Sequence, residues 1–159
     1  MRQVLLLFVI VLFASVVHVQ GQSKPDAKSD AELIKQTALD YIEGWYEGDA
    51  VRMERALHPD LAKRIVRVDQ RGRYALGQMS AMTLVQLARE GDGKSIPKEK
   101  QQKDVTVLDV FNNAASVKII ASDWIDYLHV AKWRGRWVIV NVLWENKPAP
   151  PQSTPSGNN

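Results

Sequence analysis

The chain has 159 residues, a formal net charge of +3 and no cysteine. This mild charge argues against nucleic-acid binding, and the lack of cysteine excludes disulfides, thiol chemistry and cysteine-ligated metals. With 45% hydrophobic residues, a chain of this length is expected to fold as one domain around one core.

The first segment has the pattern of an export signal. Arg2 precedes an apolar run over residues 4–17, which gives way to the small residue Gly21. The run is shorter than a membrane-spanning helix needs. We therefore predict a signal peptide over residues 1–21 and a periplasmic or secreted protein with no stable membrane insertion after cleavage. An uncleaved N-terminal anchor is the alternative.

Two polar segments flank the expected domain. Residues 22–29 and 147–159 are rich in polar residues, and the second also in proline, so neither buries enough apolar surface to order itself. The domain is placed at residues 30–146, and it contains no internal repeat.

The first half of the domain has helical periodicity. Apolar residues recur at helical spacing after Asp30 as far as Gly48, and a shorter helix over residues 50–57 is expected to stop before Pro59. A third helix opens at Ser80 and closes at Gly91. Between and after these helices we predict a short strand at 65–68 and loops at 70–77 and 92–103.

The second half has the pattern of a β-meander. Four strands at residues 104–111, 114–121, 124–133 and 136–145 are joined by expected two-residue turns. Helices followed by an antiparallel sheet define an α+β domain.

The strand alternation predicts which side chains share a sheet face, provided that all three turns have two residues. The helix-facing set is nearly all apolar and comprises Leu108, Val110, Ala115, Val117, Ile119, Trp124, Asp126, Leu128, Val130, Trp137, Ile139, Asn141 and Leu143. The opposite set is mixed and comprises Asp109, Ser116, Lys118, Tyr127, His129, Val138, Val140, Val142 and Trp144. That second face has the composition of a dimer contact or, alternatively, of a partly apolar solvent face.

Two polar residues interrupt the helix-facing set. In the assumed register Asp126 lies opposite Leu143 and diagonal to Asn141. A carboxylate in an apolar enclosure needs hydrogen bonds, and it can act as a general base or as an anchor for a ligand. Asp126 is therefore the candidate catalytic residue and Asn141 a candidate ligand contact. A structural carboxylate bonded to Asn141, an indole or a loop amide is the alternative.

Three aromatic residues and one histidine are further candidates for ligand contact. Tyr41 and Trp45 lie one turn apart on the first helix, and Trp124 starts the third strand of the meander; simple core packing is the alternative for all three. His58 follows a helix end and could be an acid-base group or a packing residue. The histidines of the domain, His58 and His129, are on separate elements, so we expect no metal and no cofactor.

Five cations fall within eleven residues: Lys63, Arg64, Arg67, Arg71 and Arg73. A solvated face is the favoured interpretation, and a site for anionic ligands is the alternative. The chain has no GxSxG motif, no phosphate-binding glycine loop and no Cys-His pair, so hydrolase and nucleotide chemistry have no support.

Two stretches carry a family resemblance: DYIEGWYEGDAVRMERALHPDLAKR at 40–64 and VLDVFNNAASVKIIASDWIDYLHVAKWRGRWVIVNVLWE at 107–145. They resemble the putative lumazine-binding family of the nuclear transport factor 2-like, or SnoaL-like, superfamily. The resemblance implies a cystatin-like cone, in which a curved antiparallel sheet wraps around the N-terminal helices, encloses a pocket and forms a homodimer. It also makes pocket candidates of Tyr41, Trp45, His58, Asp126 and Asn141.

Three functions remain open, because this fold hosts several activities. The first is an exported binding protein for a small apolar or aromatic ligand. The second is an isomerase, cyclase or dehydratase in which Asp126 removes a proton from carbon. The third is a module that binds a partner protein through the sheet.

Overall fold

A computed structural model describes residues 28–149. The predicted signal peptide lies outside the described residues, as do most of the two flanking segments. The element order is α1 Asp30–Glu47, α2 Ala50–Ala56, β1 Leu57–Val68, β2 Tyr74–Ser80, α3 Ala81–Glu90, β3 Lys103–Phe111, β4 Ala114–Ala121, β5 Trp124–Trp133 and β6 Arg136–Asn146.

The three helices are confirmed, and their ends follow from local chemistry. Ser29 and Glu32 form a capping box at the start of α1, and Gly48 ends that helix with a φ of 66°. Asp49 and Ser80 cap α2 and α3 through their side chains. No helix within residues 28–149 combines the length and hydropathy of a membrane span.

The six strands form one sheet in the order β2-β1-β6-β5-β4-β3. Four of its five strand pairs are antiparallel, and β1 pairs with β6 in parallel, so the expected antiparallel sheet contains one parallel pair and is mixed. The predicted strand at 65–68 is the end of a longer strand, because β1 has twelve residues. The expected loop at 70–77 holds the start of β2, which pairs with β1.

The three meander turns each contain two residues, as predicted. Asn112, Arg134 and Gly135 have positive φ angles of 49°, 48° and 78°, which is the backbone that tight hairpin turns require. Residues 92–95 and 98–100, within the expected loop before β3, form two short 3-10 turns.

Two β-bulges change the predicted side-chain faces. In β6 the extra residue is Val140, because Val130 pairs with Ile139 whereas His129 pairs with Asn141. Beyond this bulge the parity is reversed: Val142 and Trp144 face the helices, and Asn141 and Leu143 face away.

A second bulge in β3 involves Leu108, since Val107 pairs with Val117 and Asp109 pairs with Ser116. Leu108 is 53% exposed, so its placement in the helix-facing set is wrong, and Val105 and Val107 pack against the core instead.

The hydrophobic core lies between the helices and one face of the sheet, here called the inner face. It comprises fully buried residues such as Ile34, Ile42, Met53, Ile119, Leu128 and Ile139. The opposite face of the sheet is called the outer face. Burying large aliphatic side chains stabilises this layer by about 1.5–3 kcal/mol each.

Candidate functional site

A buried ion pair lies on the inner face of the sheet. The Nζ atom of Lys63 on β1 donates a hydrogen bond to Oδ1 of Asp126 on β5, at 2.7 Å. The side chains are 6% and 0% exposed. Charges removed from water in this way remain stable only when they are paired and hydrogen-bonded.

Two aromatic side chains complete the bonding of this pair. The Nε1 atom of Trp124 donates to Oδ2 of Asp126 at 2.7 Å. The hydroxyl of Tyr41, on α1, accepts a hydrogen bond from Lys63 at 2.6 Å and donates to Oδ2 of Asp126 at 3.4 Å. Both carboxylate oxygens of Asp126 therefore have donors, as a buried carboxylate requires.

Aromatic rings also surround the ammonium group of Lys63. Its Nζ atom lies 4.9 Å from the ring centroid of Trp144, 5.4 Å from that of Tyr41 and 5.8 Å from that of Trp124. The negative faces of such rings attract a cation, which adds to the attraction of Asp126.

Burial dominates the electrostatics of these groups. It lowers the pKa of Lys63, and this effect outweighs the opposing attraction of Asp126. Burial and the neighbouring carboxylate raise the pKa of Tyr41 well above its ordinary value. Tyr41 is therefore a neutral phenol near pH 7, able both to accept and to donate a hydrogen bond.

Next to the ion pair is a cavity of about 270 Å³. Its walls are mostly aromatic and aliphatic and comprise Tyr41, Ile42, Trp45, Lys63, Met79, Leu84, Trp124, Trp144 and Asn146. Trp45 and Trp124 meet edge to face, with ring centroids 6.5 Å apart. The buried indole Nε1 of Trp144 has no hydrogen-bond partner among the described residues. The cavity is close to the lower size limit of known small-molecule sites, about 300 Å³.

The sequence-predicted site residues divide into two groups. Tyr41, Trp45 and Trp124 line the cavity, and whether they contact a ligand stays a prediction. Asp126 is buried and faces inward, as its strand parity indicated, but its partner across the strands is Trp144 rather than Leu143. Asp126 is not among the lining residues and meets the cavity through Lys63, Tyr41 and Trp124.

Asn141 and His58 lie elsewhere, which corrects their prediction as pocket residues. The bulge at Val140 turns Asn141 to the outer face, where its side-chain oxygen accepts a hydrogen bond from Arg64 at 2.9 Å. The ring of His58 packs edge to face on Trp133 with centroids 5.0 Å apart, and its Nδ1 accepts from the backbone N–H of Asp60.

Among the lining residues that sequence reasoning missed, Lys63 and Trp144 bear most on the site. The sequence pattern groups Lys63 with nearby arginines as a solvated face, yet Lys63 is 5% exposed. Alternate residues of a strand share a face, and Leu61 and Ile65 on either side of Lys63 are buried. This alternation could have predicted that Lys63 faces inward. Trp144 was placed on the wrong face, and no local sequence signal marks the bulge that turns it inward.

Comparison with solved structures identifies the class of fold to which this architecture belongs. The structure is similar to a nuclear transport factor 2-like protein of unknown function from Shewanella baltica OS155, at 18% identity and a TM-score of 0.55 over 74% of this chain and 94% of that one. A protein of the same description from Methylobacillus flagellatus KT gives 18% identity and a TM-score of 0.57 over 75% and 93%.

A third similar structure is a nuclear transport factor 2-like protein with a cystatin-like fold from Novosphingobium aromaticivorans. It shows 13% identity and a TM-score of 0.51 over 72% of this chain and 80% of that one. The protein therefore has the α+β nuclear transport factor 2-like, cystatin-like fold.

The family model described as putative lumazine-binding matches residues 29–145. The chain belongs to the putative lumazine-binding family, as its sequence resemblance indicated. A search of curated proteins finds no match to it.

Proposed function

We propose that the protein is an exported small-molecule-binding protein whose inner-face cavity accepts a flat, largely apolar ligand. One observation carries this proposal: an aromatic cavity of about 270 Å³ with a buried, hydrogen-bonded polar group in its wall. Apolar walls with few polar groups are typical of small-molecule sites. The family membership agrees with this class of function.

In this proposal Trp45, Trp124 and Trp144 provide surfaces for a ring to pack on. Lys63 and Tyr41 provide the polar end of the cavity, in place of the sequence-based combination of Asp126 with Asn141. Lys63 and Asp126 carry opposite charges in close contact, so the polar end has little net charge. A neutral ligand is therefore favoured over an anion or a cation.

Proton abstraction by Asp126, the enzymatic alternative, is supported less well. Both of its oxygens accept hydrogen bonds, from Lys63 on one side and from Trp124 and Tyr41 on the other. A general base must reach the proton that it removes, and here the carboxylate lies behind the side chains that line the cavity.

The proposal includes export to the periplasm or the medium after loss of residues 1–21, and a homodimer formed through the outer face. That face exposes apolar residues of four strands: Val66, Leu76, Tyr127 and Leu143, at 47%, 61%, 46% and 51%. Large apolar side chains exposed on one sheet face are typical of protein contacts. Contact with a different partner protein is the alternative for the same surface.

Thermal unfolding of residues 22–159 with pteridines, flavins and steroids tests the binding proposal. A ligand present at 100 times its dissociation constant stabilises the folded state by about 2.7 kcal/mol. We expect the stabilisation to fall in Trp45→Ala, which opens the cavity wall. The matched variant Trp133→Ala removes a half-exposed indole outside the cavity. It should show the same stabilisation by ligand as the wild type.

Mass spectrometry of small molecules that co-purify with the protein from its native host extends this test to ligands outside the panel. Binding that survives Trp45→Ala, or a protein that neither co-purifies with nor is stabilised by any compound, would contradict the proposal. N-terminal sequencing of the same preparation checks the cleavage after Gly21.

A further inference from the structure

We propose that Lys63 forms a reversible imine with an aldehyde or ketone group of the ligand. This inference rests on the proposed function, since it requires a ligand in the cavity, and it names the reactive group of that ligand. The primary amine of Lys63 is the nucleophile. It belongs to the cavity wall, whereas the carboxylate that holds it does not.

The surroundings of Lys63 supply what imine formation needs. A lysine in an apolar wall has a larger fraction of free amine, because burial disfavours its charged form. Asp126 is 2.7 Å from Nζ and can accept the proton that the amine gives up. The phenol of Tyr41, 2.6 Å from the same nitrogen, can exchange protons with a carbonyl oxygen bound beside it.

The reaction balances without any further reactant. A proton passes from the Lys63 ammonium to the Asp126 carboxylate, and the free amine attacks the carbonyl carbon, so that a C–N bond forms and the C=O π bond breaks. A proton moves from nitrogen to the alkoxide oxygen, relayed by the Tyr41 hydroxyl, and gives a neutral carbinolamine. Asp126 then returns its proton through the Tyr41 hydroxyl, 3.4 Å from its Oδ2, to the hydroxyl group of the carbinolamine. Water leaves, and a C=N bond forms.

The product is a protonated imine beside the restored carboxylate of Asp126. The ammonium of Lys63 and one carbonyl compound have become one iminium and one water, and the charge of the site is unchanged. The same carboxylate that paired with Lys63 now pairs with the iminium, so no buried charge is left without a partner.

The cavity walls restrict the ligand class. Three indole rings, from Trp45, Trp124 and Trp144, line the same cavity as the amine, and their faces and edges suit a planar conjugated ring. Since the ion pair is already neutral overall, we expect an uncharged aromatic or conjugated aldehyde or ketone of one or two rings.

Reductive trapping tests the inference. The protein is incubated with naphthaldehyde and sodium cyanoborohydride, which reduces the iminium to a stable secondary amine, and is then digested for peptide mass mapping. We expect the Lys63 peptide to be modified before those of the exposed lysines Lys35 and Lys98. Lys63→Arg, which keeps the positive charge but lacks the amine nucleophile, should show no adduct at residue 63.

Naphthalenemethanol, which has the same ring but no carbonyl, separates the two proposals. Its binding is followed by quenching of tryptophan fluorescence in the wild type. If it quenches the fluorescence while naphthaldehyde labels only exposed lysines, the imine is overturned and the binding cavity stands. If neither compound quenches and Lys63 stays unmodified, both proposals fail for this ligand class. An adduct on Lys63 that excess naphthalenemethanol suppresses supports both.

Discussion

Lys63 and Asp126 form their ion pair across an intervening strand. The two residues are on β1 and β5, and β6 lies between these strands in the sheet. The 2.7 Å bond from Nζ to Oδ1 therefore spans β6 on the inner face, where Trp144 is the β6 residue opposite Asp126. The pair links distant parts of the chain, and its Lys63 member belongs to the polar end of the cavity.

Replacement of Lys63 by methionine is expected to destabilise the fold strongly, because Asp126 would remain buried without its charged partner. Breaking a buried pair in this way costs about 3–5 kcal/mol in the free energy of unfolding. Urea denaturation measures the loss. Arg67→Met, at an exposed position of the same strand, should change the value by less than about 0.5 kcal/mol.

The double variant Lys63→Met/Asp126→Leu provides the matched test of that explanation. It removes both charges, so we expect it to regain most of the stability lost in Lys63→Met. A double variant as unstable as the single one would show that packing around the lysine stem, rather than the unpaired carboxylate, sets the cost.

A methyl group at Gly93 is expected to disturb the cavity wall. A Cβ atom there would overlap the carbonyl oxygen and the indole ring of Trp45. Overpacking of this kind costs about 1–3 kcal/mol. In Gly93→Ala we expect urea denaturation to show this loss in the free energy of unfolding, and we expect the tryptophan emission to shift. Ser95→Ala, at an exposed position of the same 3-10 turn, should leave the emission unchanged.

Acid sensitivity is expected from Asp40, which joins α1 to α2. Burial alone would raise the pKa of Asp40, but hydrogen bonds from Arg55 and Arg52, each 3.0 Å long, lower it overall. Since the folded-state pKa is below the unfolded one, the stabilisation is complete above the unfolded pKa and is lost as the pH falls through the folded pKa.

Asp40→Asn should therefore be less stable than the wild type at neutral pH, and the difference should shrink on acidification. Urea denaturation across the pH range measures, for each protein, the slope of the free energy of unfolding against pH. Asp60→Asn is the control, because the Asp60 side chain is 93% exposed and its replacement should leave the wild-type slope. Parallel slopes for Asp40→Asn and the wild type would exclude this role for Asp40.

The outer face provides a test of the proposed homodimer. Leu143 is 51% exposed and pairs with Tyr127 on the neighbouring strand. We expect Leu143→Glu to convert a dimer into a monomer, because it places a charge within an apolar contact. Light scattering after size-exclusion chromatography measures the mass. Met82→Glu, on α3 and 81% exposed, should remain dimeric; a monomeric wild type would refute the proposal.

Much of the fold was predictable because its signals are local. A capping side chain, a terminal glycine and helical apolar spacing act within a few residues, and all three helices could be predicted from them. The hairpin turns are equally local, because asparagine and glycine, found at Asn112 and Gly135, tolerate the positive φ angles that these turns require. The pairing of β1 with β2 was missed although Gly72, with a φ of 73°, turns the chain between them. The parallel pairing of β1 with β6 was missed because the two strands lie far apart in sequence and no local signal links them.

By itself, the sequence determined the α+β class, the helices, the two-residue turns and the inward position of Asp126, because each depends on neighbours along the chain. Tertiary structure alone decided the parallel contact of β1 with β6 and the bulge at Val140. These two features bring Lys63 to Asp126, turn Trp144 inward and send Asn141 to the outer face. The physical reason is that one extra residue in a strand reverses every later side chain, and whether a bulge forms depends on packing between strands that lie far apart in sequence.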